Sequence, residues 1–299
     1  MTKIIHVEPT SRCNAACPMC ARNVNGKGCI VPLMDLSFEP FKSLVNSCVD
    51  KLEKVFFCGS VGDPCADKNL LEKITWLKQT NKNITVGINT NGSIRNPRWW
   101  TNCGNLLSGP YDYVVFSIDG LEDTNHIYRV DVQFKKVMQN AQAYIDTGAS
   151  AHWDMLVFDH NKHQIEQCKQ LADSMGFTWF RSKETDRWDQ FTLEQIKPAN
   201  NPNVVDYHSI NNVQCERNVE QSTYIDHRGQ EFPCCHISEM YYSTTQTNNN
   251  KDILSHTPDE LMTEYQTRLD NKNPFYTCRR SCGTTVSKRS QWKQEIQLR

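Results

Sequence analysis

The 299-residue chain lacks a charge excess of either sign: 33 basic and 34 acidic side chains leave a net charge of −1. Surfaces that grip nucleic acid or acidic lipid draw on a basic surplus, so neither partner is expected. The chain also lacks any apolar run near the roughly 20 residues that a membrane span requires. No signal-type stretch opens it, since MTKIIHVEPT passes straight into a short apolar alternation. It has no internal repeat beyond an alternation of strand-like and helix-like segments. These absences point to a cytoplasmic, water-soluble protein. Its length suggests one main domain with a smaller appendage.

What the chain has in excess is cysteine, 14 in all. Without export a disulfide framework is not expected, and clustered thiols in a reducing compartment bind metal or do chemistry. Some are plain core residues. Cys48 continues the apolar face of Phe41, Leu44, Val45, Val49 and Leu52, and Cys168 sits between Ile165 and Leu171.

Up to about residue 182, β-type runs at 4–7, 55–58, 84–88, 113–118, 152–158 and 178–180 alternate with amphipathic stretches at helical spacing. Ser37, Asp67, Asn96, Asp131 and Asn161 are candidate N-caps, and Gly148 and Gly176 candidate stops. Six βα units predict a parallel sheet with helices outside, too few strands for a closed eight-stranded barrel. The expected fold is α/β, a partial (β/α)6 TIM-like barrel, with functional residues just after the strands. The pattern fades after residue 183, and cysteines return from Cys215. The expected domains are a barrel at 1–183, a linker at 184–212 and a small cysteine-rich domain at 213–299.

The segment EPTSRCNAACPMCARN follows the first predicted strand and spaces Cys13, Cys17 and Cys20 as CxxxCxxC. A structural zinc site wants four ligands, usually as two close pairs. Here three thiols share one loop, with only Cys29 nearby. Three thiolates suit an iron–sulfur cubane with one iron left open. The motif and its place after a first strand resemble the radical S-adenosylmethionine (radical SAM) superfamily. Many members carry an aromatic residue before the third cysteine, where this chain has Met19. The resemblance implies a [4Fe-4S] cluster on Cys13, Cys17 and Cys20 whose open iron chelates S-adenosylmethionine. It further implies reductive cleavage to a 5′-deoxyadenosyl radical, with electrons from a reductase such as flavodoxin or ferredoxin.

Three later segments, each after its own predicted strand, extend the likeness. CGSVGDP (58–64) resembles the superfamily's Gly-Gly-Glu-Pro stretch, which binds the methionine amino group. Gly59, Ser60 and Gly62 would supply close backbone approach, and Asp63 would stand in for the family Glu, one methylene shorter. The alternative is an ordinary βα turn. NTNG (89–92) resembles the family Thr-Asn-Gly, so Asn89 or Thr90 would reach the ribose or methionine of the cofactor; Asn-Gly is also a common turn. In SIDG (117–120), Ser117 and Asp119 share one side of a strand and would bond ribose hydroxyls or the methionine carboxylate. Arg129 would clamp that carboxylate, or is an ordinary surface arginine.

In the C-terminal part, Cys215 is followed by a hairpin-like YIDHRGQEFPCC and then by CRRSC at 278–282. This is similar to the SPASM and Twitch extensions of radical SAM enzymes. It implies one auxiliary [4Fe-4S] cluster on Cys215, Cys234, Cys278 and Cys282, with Cys235 the alternative to Cys234. Such a cluster would pass electrons in a net oxidation, or serve only as a staple. Extensions of this type occur in enzymes acting on peptides and in a sugar-alcohol dehydrogenase, so a peptide or small-molecule substrate is expected. The barrel begins at residue 3, and a peptide substrate would then need a separate presenting partner. His152, Asp154, Arg181 and Lys183 lie on late strands and are candidate pocket residues. The competing reading is a non-catalytic protein whose cysteines are stapled by zinc.

Overall fold

The structure is a computed structural model that describes residues 2–20, 22, 31–185, 196–200, 206–242, 257–283 and 292–299. Six parallel strands are present as expected, and among the described residues helices join each to the next. The strands are β1 (Ile4–Val7), β2 (Lys54–Phe57), β3 (Thr85–Thr90), β4 (Tyr113–Ser117), β5 (Ala151–Val157) and β6 (Trp179–Glu184). The helices among them are α1 (Phe38–Asn46), α2 (Leu70–Thr80), α3 (Pro97–Leu106), the single turn α4 (Asn125–Tyr128), α5 (Phe134–Ile145) and α6 (Ile165–Met175). The C-terminal part adds α7 (Glu216–Glu220), β7 (Ser222–Ile225), β8 (Glu231–Phe232), α8 (Cys235–Tyr242), α9 (Pro258–Asp270), α10 (Tyr276–Cys282) and β9 (Trp292–Gln297).

The nine strands of the described residues form one open sheet in the order β8-β7-β1-β2-β3-β4-β5-β6-β9. Strands β1 to β6 are parallel throughout. The hairpin of β7 and β8 forms where the sequence suggested. Its first strand pairs parallel with β1, Ile4 opposite Ser222, so it widens the barrel sheet. At the other edge β9 pairs antiparallel with β6. Among the described residues, no helix is long and apolar enough to cross a membrane.

Alternation along the strands gives the sheet two faces. Val7, Val55, Phe57, Val86, Ile88, Val114, Phe116, Trp153 and Phe180 are buried in the main apolar core. The helices cover this face with residues spaced three and four apart, such as Leu70, Ile74 and Leu77 of α2 and Val137, Ala141 and Tyr144 of α5. Punctuation is local chemistry. Asn96 caps α3 by accepting from the Trp99 amide at 3.0 Å, with Pro97 in the first turn. Gly176 ends α6 at φ 96°, a left-handed stop. Asp67 and Asp131 are not N-caps: Asn69 precedes α2 and Gln133 precedes α5. Asp67 instead buries a salt bridge with Lys73.

That pair is fully buried, with Lys73 Nζ 2.6 Å from Asp67 Oδ2 and 2.6 Å from the Leu36 carbonyl oxygen. Removing one partner of a buried pair strands the other charge. Lys73→Met is therefore expected to lower unfolding stability by about 3–5 kcal/mol in urea titration. A loss below about 1 kcal/mol would show that the Asn69 amide, which Asp67 also accepts, is compensation enough.

The other face of the sheet carries rings, with Tyr224 fully buried and His6, Phe56, Tyr113 and His152 half-buried. Tyr224 meets His6 edge-on, His6 meets Phe56, and Tyr113 stacks on His152 at 5.0 Å with planes 4° apart. Burial, helped by Arg181 and Lys54, lowers the His152 pKa to about 4. Unfolded histidine takes up its proton near 6.5. The unfolded state therefore binds more protons between these values. This group's contribution is complete above about pH 6.5 and is lost progressively as pH falls towards 4. The urea midpoint of wild type should accordingly drop more steeply between pH 7 and 5 than that of His152→Gln. Parallel pH profiles for the two proteins would refute this.

Candidate functional site

The cysteine loop leaves β1 and is held by contacts from four directions. The Ala16 amide donates to the Val130 carbonyl at 3.1 Å, and Asn14 Nδ2 donates to Ser93 Oγ at 2.8 Å. Asn91 Nδ2 reaches Cys13 Sγ at 3.7 Å, and Arg129 Nη1 reaches Cys17 Sγ at 3.9 Å. Arg22, buried just beyond Cys20, donates to the Ser11 and Val61 carbonyls at 3.2 and 3.1 Å. The segments after β2, β3 and β4 are thus brought onto this loop.

Glycines at 59 and 62 are demanded by close backbone approach. A Cβ on Gly59 would lie 1.8 Å from the Gly62 carbonyl oxygen, and one on Gly62 would lie 1.9 Å from that of Thr10. Asp63 is buried and its carboxylate is committed within the protein. It accepts from Thr90 Oγ1 at 2.9 Å, the Asn91 amide at 2.8 Å and the Cys65 amide at 2.9 Å. Burial holds this carboxyl above the ordinary range, while those donors oppose the shift. Asp63 thereby ties the turn after β2 to the turn after β3. Thr90 is taken up by the same contact. Asn89 is different: its Oδ1 is buried on the inner face with no hydrogen-bond partner.

Asp119 is also fully buried. It accepts from Arg129 Nε at 2.6 Å and from the Leu156 amide at 2.6 Å. Arg129 therefore bridges Asp119 and Cys17 and is no loose surface arginine. Ser117 ends β4 half-buried, in register with Asp154 of β5, which faces Arg181 of β6. Arg181 binds Asp154 through both arms, Nε to Oδ1 at 2.6 Å and Nη2 to Oδ2 at 2.8 Å.

Sequence reasoning passed over Glu8, Asn91 and Arg22. Glu8 follows β1 directly and is completely buried. Its Oε1 accepts from the Val61 and Gly62 amides at 2.6 and 3.0 Å, and its Oε2 accepts from Tyr224 Oη at 2.6 Å. Its place at a strand end, where function was expected, was the available signal. For Asn91, the choice within NTNG depended on where β3 stops.

Cys13 and Cys17 suit an iron–sulfur cluster by the donors around them. N–H groups of Ala15 and Asn91 face Cys13 Sγ, and a guanidinium faces Cys17 Sγ. Such donors favour anionic sulfur. Burial pushes the free Cys13 thiol up to about 12 and the Cys17 thiol upward as well. Thiolate at these positions therefore calls for a cation, which iron supplies.

The C-terminal cysteines also converge. Cys215, Cys234, Cys235, Cys278 and Cys282 line one cavity of about 110 Å³. Cys278 and Cys282 stand four apart on α10, on one helix face. The Gln214 amide donates to the Cys282 carbonyl at 2.9 Å, which brings Cys215 alongside. Tyr265 Oη lies 2.6 Å from Cys215 Sγ. Burial raises the Cys234 thiol to about 12, with further upward pressure from Cys282 and Cys215. Cys278 feels Cys234, Cys282 and Cys215, whereas Cys235 feels Cys234, Cys58 and Glu239. Cys234 and Cys235 both line the cavity with the other three. Among the described residues, no three His, Cys, Asp or Glu side chains are arranged about a single ion.

No family model and no curated protein sequence matches this chain. Solved structures do. Streptococcus suis SuiB bound to S-adenosylmethionine superposes with a TM-score of 0.58 at 13% identity, over 83% of this chain and 62% of SuiB. The chain thus spans less than two thirds of SuiB. His-tagged anSMEcpe with bound AdoMet gives 0.60 at 14% identity, over 94% and 86%. BtrN in complex with AdoMet and 2-DOIA gives 0.51 at 12% identity, over 99% of both chains. At these identities the likeness is one of architecture: the chain shares the open, TIM-like barrel fold of these structures.

Proposed function

We propose that this protein is a radical SAM enzyme that abstracts hydrogen from a peptide or small-molecule substrate in a net oxidation. The observation that carries the proposal is the convergence of three strand-end turns on one cysteine loop, with Asn91 and Arg129 directed at its sulfurs. A zinc staple of that loop would not require those turns. Cys13, Cys17 and Cys20 are the proposed ligands of a [4Fe-4S] cluster. When bound, that cluster supplies one electron to the sulfonium of S-adenosylmethionine, whose cleavage yields the 5′-deoxyadenosyl radical.

The chain's own residues position and shield. Gly59, Ser60 and Gly62 offer backbone to the methionine end, and Asp63 holds that turn against Thr90 and Asn91. Asn89 offers its unpartnered amide oxygen to the cofactor. Arg129, fixed by Asp119, neutralises charge at the cysteine loop beside Ser117. Asp154 and Arg181 face the half-barrel interior and orient the substrate. Cys215, Cys234, Cys278 and Cys282 are the proposed ligands that would hold one auxiliary [4Fe-4S] cluster, which would supply an acceptor for the electron of the substrate radical. The proposed division is a catalytic barrel at 1–183, a linker at 184–212 and a cluster-bearing part at 213–299, in a cytoplasmic protein served by a flavodoxin or ferredoxin. SuiB bound to precursor peptide SuiA and BtrN bound to 2-DOIA show two ligand types on this fold. Anaerobic reconstitution followed by iron counting and assay for 5′-deoxyadenosine with dithionite tests the proposal. Zinc uptake in place of iron, with no cleavage, would replace it with the stapled-protein reading.

A further inference from the structure

Between the cysteine cavity and the turn after β2 stands a buried group that the proposed chemistry leaves without a task. Tyr224 of β7 lines the cavity with the C-terminal cysteines. Tyr224 Oη donates to Glu8 Oε2 at 2.6 Å and lies 3.3 Å from Ser60 Oγ. The other oxygen of Glu8 accepts from both Val61 and Gly62 amides. His227 closes the remaining side, its Nδ1 3.8 Å from Glu8 Oε2 and neither ring nitrogen hydrogen-bonded. A carboxylate with no solvent exposure is costly unless its lone pairs are filled, and here three donors fill them.

We infer that Tyr224 and Glu8 are positioning residues that fix the cofactor-binding turn at 60–62 from the wall of the cysteine cavity. The inference rests on the proposed function for the identity of the cofactor, though not for the geometry. The turn needs such a brace. Its glycines, required by close backbone contact, leave it few side chains with which to anchor itself. Two of its amides are spent on Glu8, and the carbonyl of Val61 is spent on Arg22. The shape offered to a ligand is therefore set by Glu8, and the placement of Glu8 by Tyr224. Because Tyr224 comes from β7, its hydroxyl gives the C-terminal part a polar hold on the cofactor turn, beside the apolar cluster that Val61 shares with Tyr224, Phe232 and Ile237.

The test uses full-length reconstituted protein, with hydrogen exchange of the 58–64 fragment and S-adenosylmethionine binding by calorimetry. Tyr224→Phe keeps the ring and removes the hydroxyl. Exchange in 58–64 should rise roughly tenfold and the cofactor Kd about fivefold, as expected for losing one hydrogen bond to a charged group. Iron content and exchange elsewhere should hold. Glu8→Gln keeps an acceptor oxygen for the two amides and should show a smaller rise. The double variant should fall short of the product of the single effects, since the pair acts as a unit. Unchanged exchange in 58–64 and unchanged Kd in Tyr224→Phe would overturn the inference. If Tyr224→Phe does not fold, Glu8→Gln with unchanged exchange and Kd overturns it in the same way. If wild type binds no S-adenosylmethionine, the proposed function falls instead, and exchange in 58–64 alone decides whether the brace exists.

Discussion

Replacing Cys13, Cys17 or Cys20 singly with alanine is expected to reduce 5′-deoxyadenosine formation to the level of dithionite alone. Each sulfur is one of three proposed protein ligands to a cubane, and two thiolates do not hold one firmly against chelation. The loop itself should survive. Its Ala16–Val130 and Asn14–Ser93 hydrogen bonds do not involve the thiols, and Arg129 keeps Asp119 when Cys17 is lost. Urea midpoints should therefore stay close to wild type while cleavage disappears. Chromatographic detection of 5′-deoxyadenosine after anaerobic incubation is the measurement. Cleavage that persists in all three variants would remove the first cluster from its proposed place.

The second large effect concerns iron. Wild type should hold about eight irons as two four-iron clusters, and the Cys13, Cys17, Cys20 triple alanine variant about four. The retained cluster should not change its spectrum on addition of S-adenosylmethionine, since four thiolates leave no iron open. Neighbouring cysteines provide a sharper contrast. Cys234→Ala should lose the auxiliary iron, and Cys235→Ala should keep it, because Cys234 is the proposed ligand of the two. Replacing Cys278 and Cys282 together should abolish product formation while cofactor cleavage without substrate survives at saturating S-adenosylmethionine. Aggregation of that variant would mark the auxiliary site as a staple. Equal iron loss in Cys234→Ala and Cys235→Ala would contradict the choice of Cys234 as the ligand.

Much of the architecture was legible because it depends on short-range pattern. Strand-type alternation located all six parallel strands within a few residues. Apolar spacing located the helices over them, since a helix must turn a fixed face to the sheet. The cap at Asn96 and the stop at Gly176 are decided by chemistry within one turn. Asp67 and Asp131 misled because the same side chains also serve buried pairing and turns. Asp67 was taken by Lys73, a partner six residues on, and Asp131 sits at φ 65°.

Within the site, the sequence by itself determined which residue types stand at each strand end: the CxxxCxxC loop, the glycines at 59 and 62, Asp63, Asn89, Ser117 and Asp119. These are local, since a strand's end and its following turn are encoded together. Only the tertiary structure decided what each polar group does. Asp63 holds Thr90 and Asn91 across two turns, Arg129 joins Asp119 to Cys17, and the C-terminal thiols line one cavity. The contact of Glu8 with Tyr224 links positions 216 residues apart, through the pairing of β7 with β1. The physical reason is common to all of these. A buried carboxylate, guanidinium or thiol must find its partners in three dimensions, and a sequence pattern shows that it needs them without showing which ones the fold brings within reach.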